Sequence, residues 1–267
     1  MKRIAVFSGV FDPITIKDTQ DALKLLKSHQ IDKVAFKVIK DHPYYQDRIN
    51  MVKLAIKPYR RLCLYDEKLS DVTYIDFDLT ETSNKIDDFN DIKRSVKHYI
   101  LQNELYIKDI LKRRLSKKRY EHVNSAAVLA VTLAKHYNIN TNSAYLAAIL
   151  HDYTKELSTE KQTALMKIYY PEKLDKHPKT YHQYTAMTLV KQDFGIYQQD
   201  IIDAIGNHVN GTDHKRLSKI IYCVDKIDDT RKIDNTFIKA LCFKDIDKAY
   251  MMIKEKQEQY LNGGKNE

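Results

Sequence analysis

Six residues in the second half of this 267-residue chain have the chemistry of metal ligands: His122, the doublet His151-Asp152, His182, His208 and Asp225. Each stands in or beside an apolar, helix-periodic segment. Neutral imidazole and carboxylate suit borderline divalent cations, whereas the same groups on a buried helix face without a partner carry an uncompensated desolvation cost. A His-Asp doublet alone says little in a chain rich in both residues. The weight lies in the ordered set, each member attached to its own helix and spaced by a helical hairpin or less.

Such a set needs a helical frame. Val123, Ala126, Ala127, Ala130 and Leu133 continue the stripe that His122 begins, and Ala144, Ala147, Ala148 and Leu150 lead into His151-Asp152 at a helix end. Ile201, Ile202 and Ile205 point the same way into His208, while Leu217, Ile221 and Val224 set Asp225 on or beside a buried stripe. Helical periodicity starts near Ile92 and runs through Val96, Tyr99, Ile100 and Leu105 into the basic stretch Lys112 to Arg119. The domain junction is placed there, giving residues 1–108 and 109–267. No Gly- or Ser-rich linker, internal repeat or low-complexity segment marks it.

The first hundred residues read differently. Arg3 to Ser8, Lys33 to Ile39, Arg61 to Tyr65 and Val72 to Phe77 have strand character. A helical pattern from Lys17 through Leu23, Leu25 and Leu26 separates the first two, and Ile49 to Ile56 reads as another helix. Alternating strand and helix predicts a small α/β domain with a parallel sheet, ahead of a mainly α domain.

Composition limits the partners. The net charge is +9, yet Lys and Arg alternate with Asp and Glu, as where Asp87, Asp88 and Asp91 are followed by Lys93 and Arg94. That is a solvated surface rather than a nucleic-acid groove, and it leaves a small anionic substrate open. Cys63, Cys223 and Cys242 form no CxxC pair and are expected as reduced core thiols. The apolar run at the amino terminus is ended by Asp12 and Pro13 too early for a signal peptide or a membrane span, so a cytoplasmic location is expected.

The segments RYEHV, AAILHDYTKEL, AIGNHVNG and KIIYCVDKIDDTR carry a resemblance. Over residues 115–260 the chain resembles the HD-domain metal phosphohydrolases, and within them the bacterial symmetrical dinucleoside tetraphosphate hydrolases of the YqeK type. The resemblance implies a helical bundle with a dinuclear site, expected to hold iron, although manganese, zinc and nickel suit the same ligands. Asp152 would bridge the ions; His122, His151 and Asp225 would complete one coordination sphere, and His182 with His208 the other. Two such cations lower the pKa of a water held between them and polarise the phosphate it attacks.

Lys155 and Arg231 are candidates to neutralise leaving-group charge. Gly211 is a candidate substrate contact, and Asp228 could touch substrate or orient a ligand or Arg231. Val209-Asn210 and Asp228-Asp229 depart from the family pattern, which bears on substrate preference rather than on metal binding. The implied activity is hydrolysis of diadenosine tetraphosphate to two ADP. The alternatives are a nucleotide-binding regulatory module and a hydrolase of another nucleotide.

The run FSGVFDPITIKD resembles the GGTFDPIHxGH signature of nicotinate mononucleotide adenylyltransferases, and SVKHYILQNELY is similar to that family's carboxy-terminal helix. Gly9, Phe11, Asp12 and Pro13 keep the motif. Thr15 and Asp18 stand where its two phosphate-stabilising histidines belong. The middle of the pattern is missing between Leu69 and Thr80, and Thr82 to Asp87 is read as a remnant of a later motif. A relic Rossmann-like domain without adenylyltransferase activity is expected, whose exposed sheet edge could pair with a second copy.

Overall fold

The computed structural model describes residues 2–28, 31–40, 42–66, 72–78, 86–231 and 233–263. The chain divides into two compact units, residues 1–105 and 106–267. The first contains β1 (Lys2–Gly9), α1 (Ile16–Ser28), β2 (Lys33–Val38), α2 (Tyr45–Ile56), β3 (Leu62–Leu64), β4 (Val72–Asp78) and α3 (Arg94–Gln102). All four strands are parallel, in the order β3-β2-β1-β4, with Phe7 level with Phe36 and Val34 with Leu62. Ile4, Ala5, Val6 and Phe7 are all buried, as an inner parallel strand covered on both faces requires. Most of the segment Thr82 to Asp87 lies outside the described residues.

Two loops at the carboxyl ends of β1 and β2 are tied together by Arg48, which is 0% exposed. Its guanidinium donates to the carbonyls of Val10, His42 and Pro43 at 2.5, 2.9 and 2.8 Å. At the start of α1 stand the two residues that replace the signature histidines. Thr15 Oγ1 accepts from the Asp18 N–H at 3.1 Å, while Asp18 Oδ2 accepts from the N–H and hydroxyl of Thr15 at 2.7 and 2.8 Å. This is a reciprocal helix cap. The Asp18 carboxylate is folded back into the helix start, 4% exposed.

The second unit is helical throughout: α4 (Ile107–Arg114), α5 (Lys117–His136), α6 (Thr141–Leu150), α7 (Thr159–Tyr169), α8 (Tyr181–Leu189), α9 (Gln199–Asn207), α10 (Arg216–Ile227), α11 (Thr236–Lys244) and α12 (Ile246–Gly263). Ser116, Asn140 and Ser158 cap α5, α6 and α7, accepting the N–H of Arg119, Ser143 and Lys161. Helix α10 packs against α5, α6, α9 and α12 and is the centre of the bundle. Its neighbour α6 is buried on every side from Ala144 to Leu150, as a helix that is apolar all round must be.

The basic stretch that was expected to mark the junction belongs to this unit. Ile107, Ile110 and Leu111 bury one face of α4, and its Lys and Arg residues lie on the other. Of the cysteines, Cys223 and Cys242 are buried and Cys63 only half-buried, all three as free thiols. Among the described residues no helix is long and apolar enough to cross a membrane.

Candidate metal centre

Helices α5, α6, α8, α9 and α10 each deliver a ligand type to one place. His122 lies in the first half of α5, His182 in the first turn of α8 and Asp225 in the last turn of α10. His151 and His208 are the residues that close α6 and α9. Their rings are held by local bonds: His151 Nδ1 donates to the Ala148 carbonyl and His208 Nδ1 to the Ile205 carbonyl, each at 2.6 Å. Both rings then present an Nε2 lone pair to the interior.

The six candidates are brought together in overlapping groups whose ligand atoms lie within 4.8 Å of one another. In one group, His122 Nε2 is 3.2 Å from His151 Nε2, 3.2 Å from Asp225 Oδ1 and 3.7 Å from Asp152 Oδ2. In the other, His182 Nε2 is 3.0 Å from His208 Nε2, and these two nitrogens are 3.4 and 3.5 Å from Asp152 Oδ1. Asp152 thus turns one oxygen to each group. With bonds of about 2.1 Å, ligands around one ion stand about 3.0 Å apart on an octahedral edge and about 3.4 Å apart on a tetrahedral one. The donor spacing matches. Lone pairs of His151 and His208 aimed at the Asp152 carboxylate from 3.6 and 3.5 Å repel it unless positive charge lies between.

Charge is set by these neighbours. Burial pushes His182 down to about 2, reinforced by His208 and Lys155, and burial likewise lowers His208, so both are neutral imidazoles fit to ligate. His122 goes the other way: despite burial, Asp225 and Asp228 hold it up at about 9. Asp152 and Asp225 lie well below the usual carboxylate range, because the surrounding histidines, and Lys226 for Asp225, outweigh burial.

The remaining candidates sort by what they touch. Lys155 Nζ lies 3.2 and 3.3 Å from the ring nitrogens of His182, on the rim of the second group. Arg231 bonds the Asp225 backbone carbonyl, reaches Asp225 Oδ1 at 3.0 Å and Asp228 Oδ2 at 3.3 Å, and remains 39% exposed. Of the two candidates for substrate contact, Asp228 takes the orienting role the sequence also offered and Gly211 a packing one. The Asp228 side chain is fully enclosed; it accepts from His122 Nδ1 at 2.9 Å and so orients that ring. Gly211 has both backbone groups engaged, its N–H with Asn207 and its carbonyl with Tyr250 and Lys254. It sits at φ +57°, and a Cβ there would be 2.7 Å from the Tyr222 ring, so packing explains the glycine.

Two cations of the centre escaped the sequence reading. Arg119 Nη1 is 2.5 Å from Asp152 Oδ2, and its spacing of one helical turn before His122 could have revealed it. Lys226 Nζ donates to Asp225 Oδ2 at 2.8 Å and to the His208 carbonyl at 2.6 Å. A residue adjacent in a helix points elsewhere, so no spacing rule identifies it.

Residues 119–252 match the HD domain. The chain is 32% identical over 174 residues to a probable nicotinate-nucleotide adenylyltransferase/Ap4A hydrolase of Mycoplasma pneumoniae, covering 61% of this chain and 50% of that protein. It spans half or less of the Mycoplasma relatives it matches. A symmetrical bis(5'-nucleosyl)-tetraphosphatase of Bacillus subtilis is 28% identical over 160 residues, 55% of this chain and 86% of the relative. The crystal structure of a predicted HD superfamily hydrolase involved in NAD metabolism from Clostridium acetobutylicum superposes with a TM-score of 0.56 at 28% identity, over 59% of this chain and 86% of the other.

Proposed function

This chain belongs to the HD domain family, and from that premise we propose that its second unit is a metal-dependent phosphohydrolase that splits dinucleoside tetraphosphates symmetrically, diadenosine tetraphosphate giving two ADP. The observation that carries the reading is the Asp152 carboxylate, with one oxygen facing His122, His151 and Asp225 and the other facing His182 and His208. The six would hold a pair of divalent cations, iron first among the metals these ligands suit, with manganese, zinc and nickel as alternatives. Such ions supply Lewis acidity, polarising phosphoryl oxygens and making water a nucleophile near neutral pH.

The chain's own side chains do the rest. Asp228 holds the His122 ring through Nδ1, so that Nε2 stays aimed at the centre. Lys226 occupies Asp225 Oδ2 and leaves Oδ1 to face the histidines. Lys155 at the His182 rim, with Arg119 and Arg231 on the far side, places positive charge around the position of a bound polyphosphate. There it favours the transition state, in which negative charge spreads over the oxygens.

Metal-loaded protein should convert diadenosine tetraphosphate to ADP alone, read by chromatography; ATP with AMP as products, or no turnover, would overturn the symmetrical reading. Asp152→Ala should reduce turnover to background and lower bound metal measured by mass spectrometry. The first unit is, on this proposal, an adenylyltransferase relic without that activity, a reading supported by the mutual capping of Thr15 and Asp18. The purified chain should form no dinucleotide from ATP and nicotinate mononucleotide.

A further inference from the structure

The first unit carries a groove of about 440 Å³ at the amino ends of β2 and β3, between the last turns of α1 and the segment Pro58 to Arg61. Ligands of open α/β sheets sit at the opposite, carboxyl ends of the strands, where β1 runs into Phe11, Asp12 and Pro13. The groove is therefore a separate place. Leu23 and Leu26, half-buried and nearly one helical turn apart on α1, form its apolar wall with Pro58 and Tyr59. Tyr59 is fixed: Lys93 Nζ donates to its hydroxyl at 3.2 Å and lies 4.4 Å from its ring centroid. Among the described residues no carboxylate lines the groove, and three cations do. Arg61 is committed, its Nε donating to the Asp32 carbonyl at 2.8 Å and its Nη2 to the Ile31 carbonyl. Lys27 and Arg60 are exposed and have no hydrogen bond or ion pair among the described residues. Lys27 also suits the last turn of α1, whereas Arg60 lies past α2, in no helix.

Walls of this kind fit an occupant with an apolar body and one anionic head. A membrane surface is the poorer match, because electrostatic attachment takes clusters of about 4–8 Lys and Arg, and here two stand free. A docked helix needs an apolar stripe over several turns, which Leu23 and Leu26 do not offer. The volume falls in the range of small-molecule sites, about 300–1,000 Å³. We infer that this groove binds a small amphiphilic carboxylate, of the medium-chain fatty acid class. Its chain lies against Leu23, Leu26 and Tyr59, and its carboxylate faces Lys27 and Arg60.

Calorimetric titration of the full chain with hexanoate, octanoate and decanoate, each below its micelle concentration, tests this. Affinity should rise about fourfold for each methylene that reaches the apolar wall, and the cation octylammonium should not bind. Arg60→Glu, at an exposed position, should weaken octanoate binding about tenfold, the worth of a charge-assisted hydrogen bond. Leu26→Glu, which sets a like charge on the wall, should weaken it at least as much. Both variants should keep the wild-type circular dichroism spectrum. No saturable binding of decanoate, equal binding of octylammonium, or unchanged octanoate affinity in both variants would each overturn the inference. Cosedimentation with phosphatidylglycerol vesicles that depends on Arg60 and is untouched by excess octanoate would assign the surface to a membrane and overturn it too.

Discussion

Asp152 commits both carboxylate oxygens to different histidine groups, which makes it the residue with no substitute in the centre. Asp228 is its quieter counterpart: it touches none of the space where substrate would lie, yet fixes the His122 ring from behind. Asp228→Asn keeps the volume and removes the charge that matches a raised imidazole pKa. Metal affinity or turnover should fall about 10–100-fold, as for other groups that orient a ligand, with the fold intact by circular dichroism. Unchanged metal affinity and turnover would return Asp228 to the role of a simple packing residue. At this scale the six candidate ligands stood out in sequence because each stands in or beside an apolar, helix-periodic segment. Arg119 was missed although it stands one helical turn before His122, while Lys226 and Arg48 carry no spacing signal of their own, the carbonyls of His208 and Val10 reaching them only in the fold.

The elements owe their placement to a few local devices. Residues His208 to Gly211 follow α9 and must turn sharply, so that His208 closes the helix while the chain bends toward α10. Gly211 at φ +57°, with its carbonyl held by Tyr250 and Lys254, makes that bend. Gly211→Ala adds a Cβ 2.7 Å from Tyr222 in a backbone region that side chains disfavour. A loss of about 1–3 kcal/mol is expected in urea unfolding; a neutral result would show that the turn relaxes freely. The first strand was readable from its apolar run, Ile4 to Phe7, which a parallel sheet buries on both faces, and the second from alternation between Lys33 and Ile39. The chain divides at 105/106, and the basic stretch just after it is the exposed face of α4, whose buried face Ile107, Ile110 and Leu111 form at ordinary helical spacing.

For the molecule as a whole, the second unit keeps four histidines and two aspartates in one enclosed place, a concentration of polar groups that its core tolerates only with compensating charge. Stripping metal with a chelator should therefore lower the unfolding temperature. Reloading should restore about 4 kcal/mol when free metal stands a thousandfold above its dissociation constant. Calorimetry with and without chelator reads this directly, and identical transitions would argue against a bound ion.

The reciprocal cap between Thr15 and Asp18 reaches beyond its own turn of helix. Once each of these residues depends on the other to start α1, placing a histidine at one position alone strands the remaining partner and weakens the helix start. The pair changes together or at a cost to the fold.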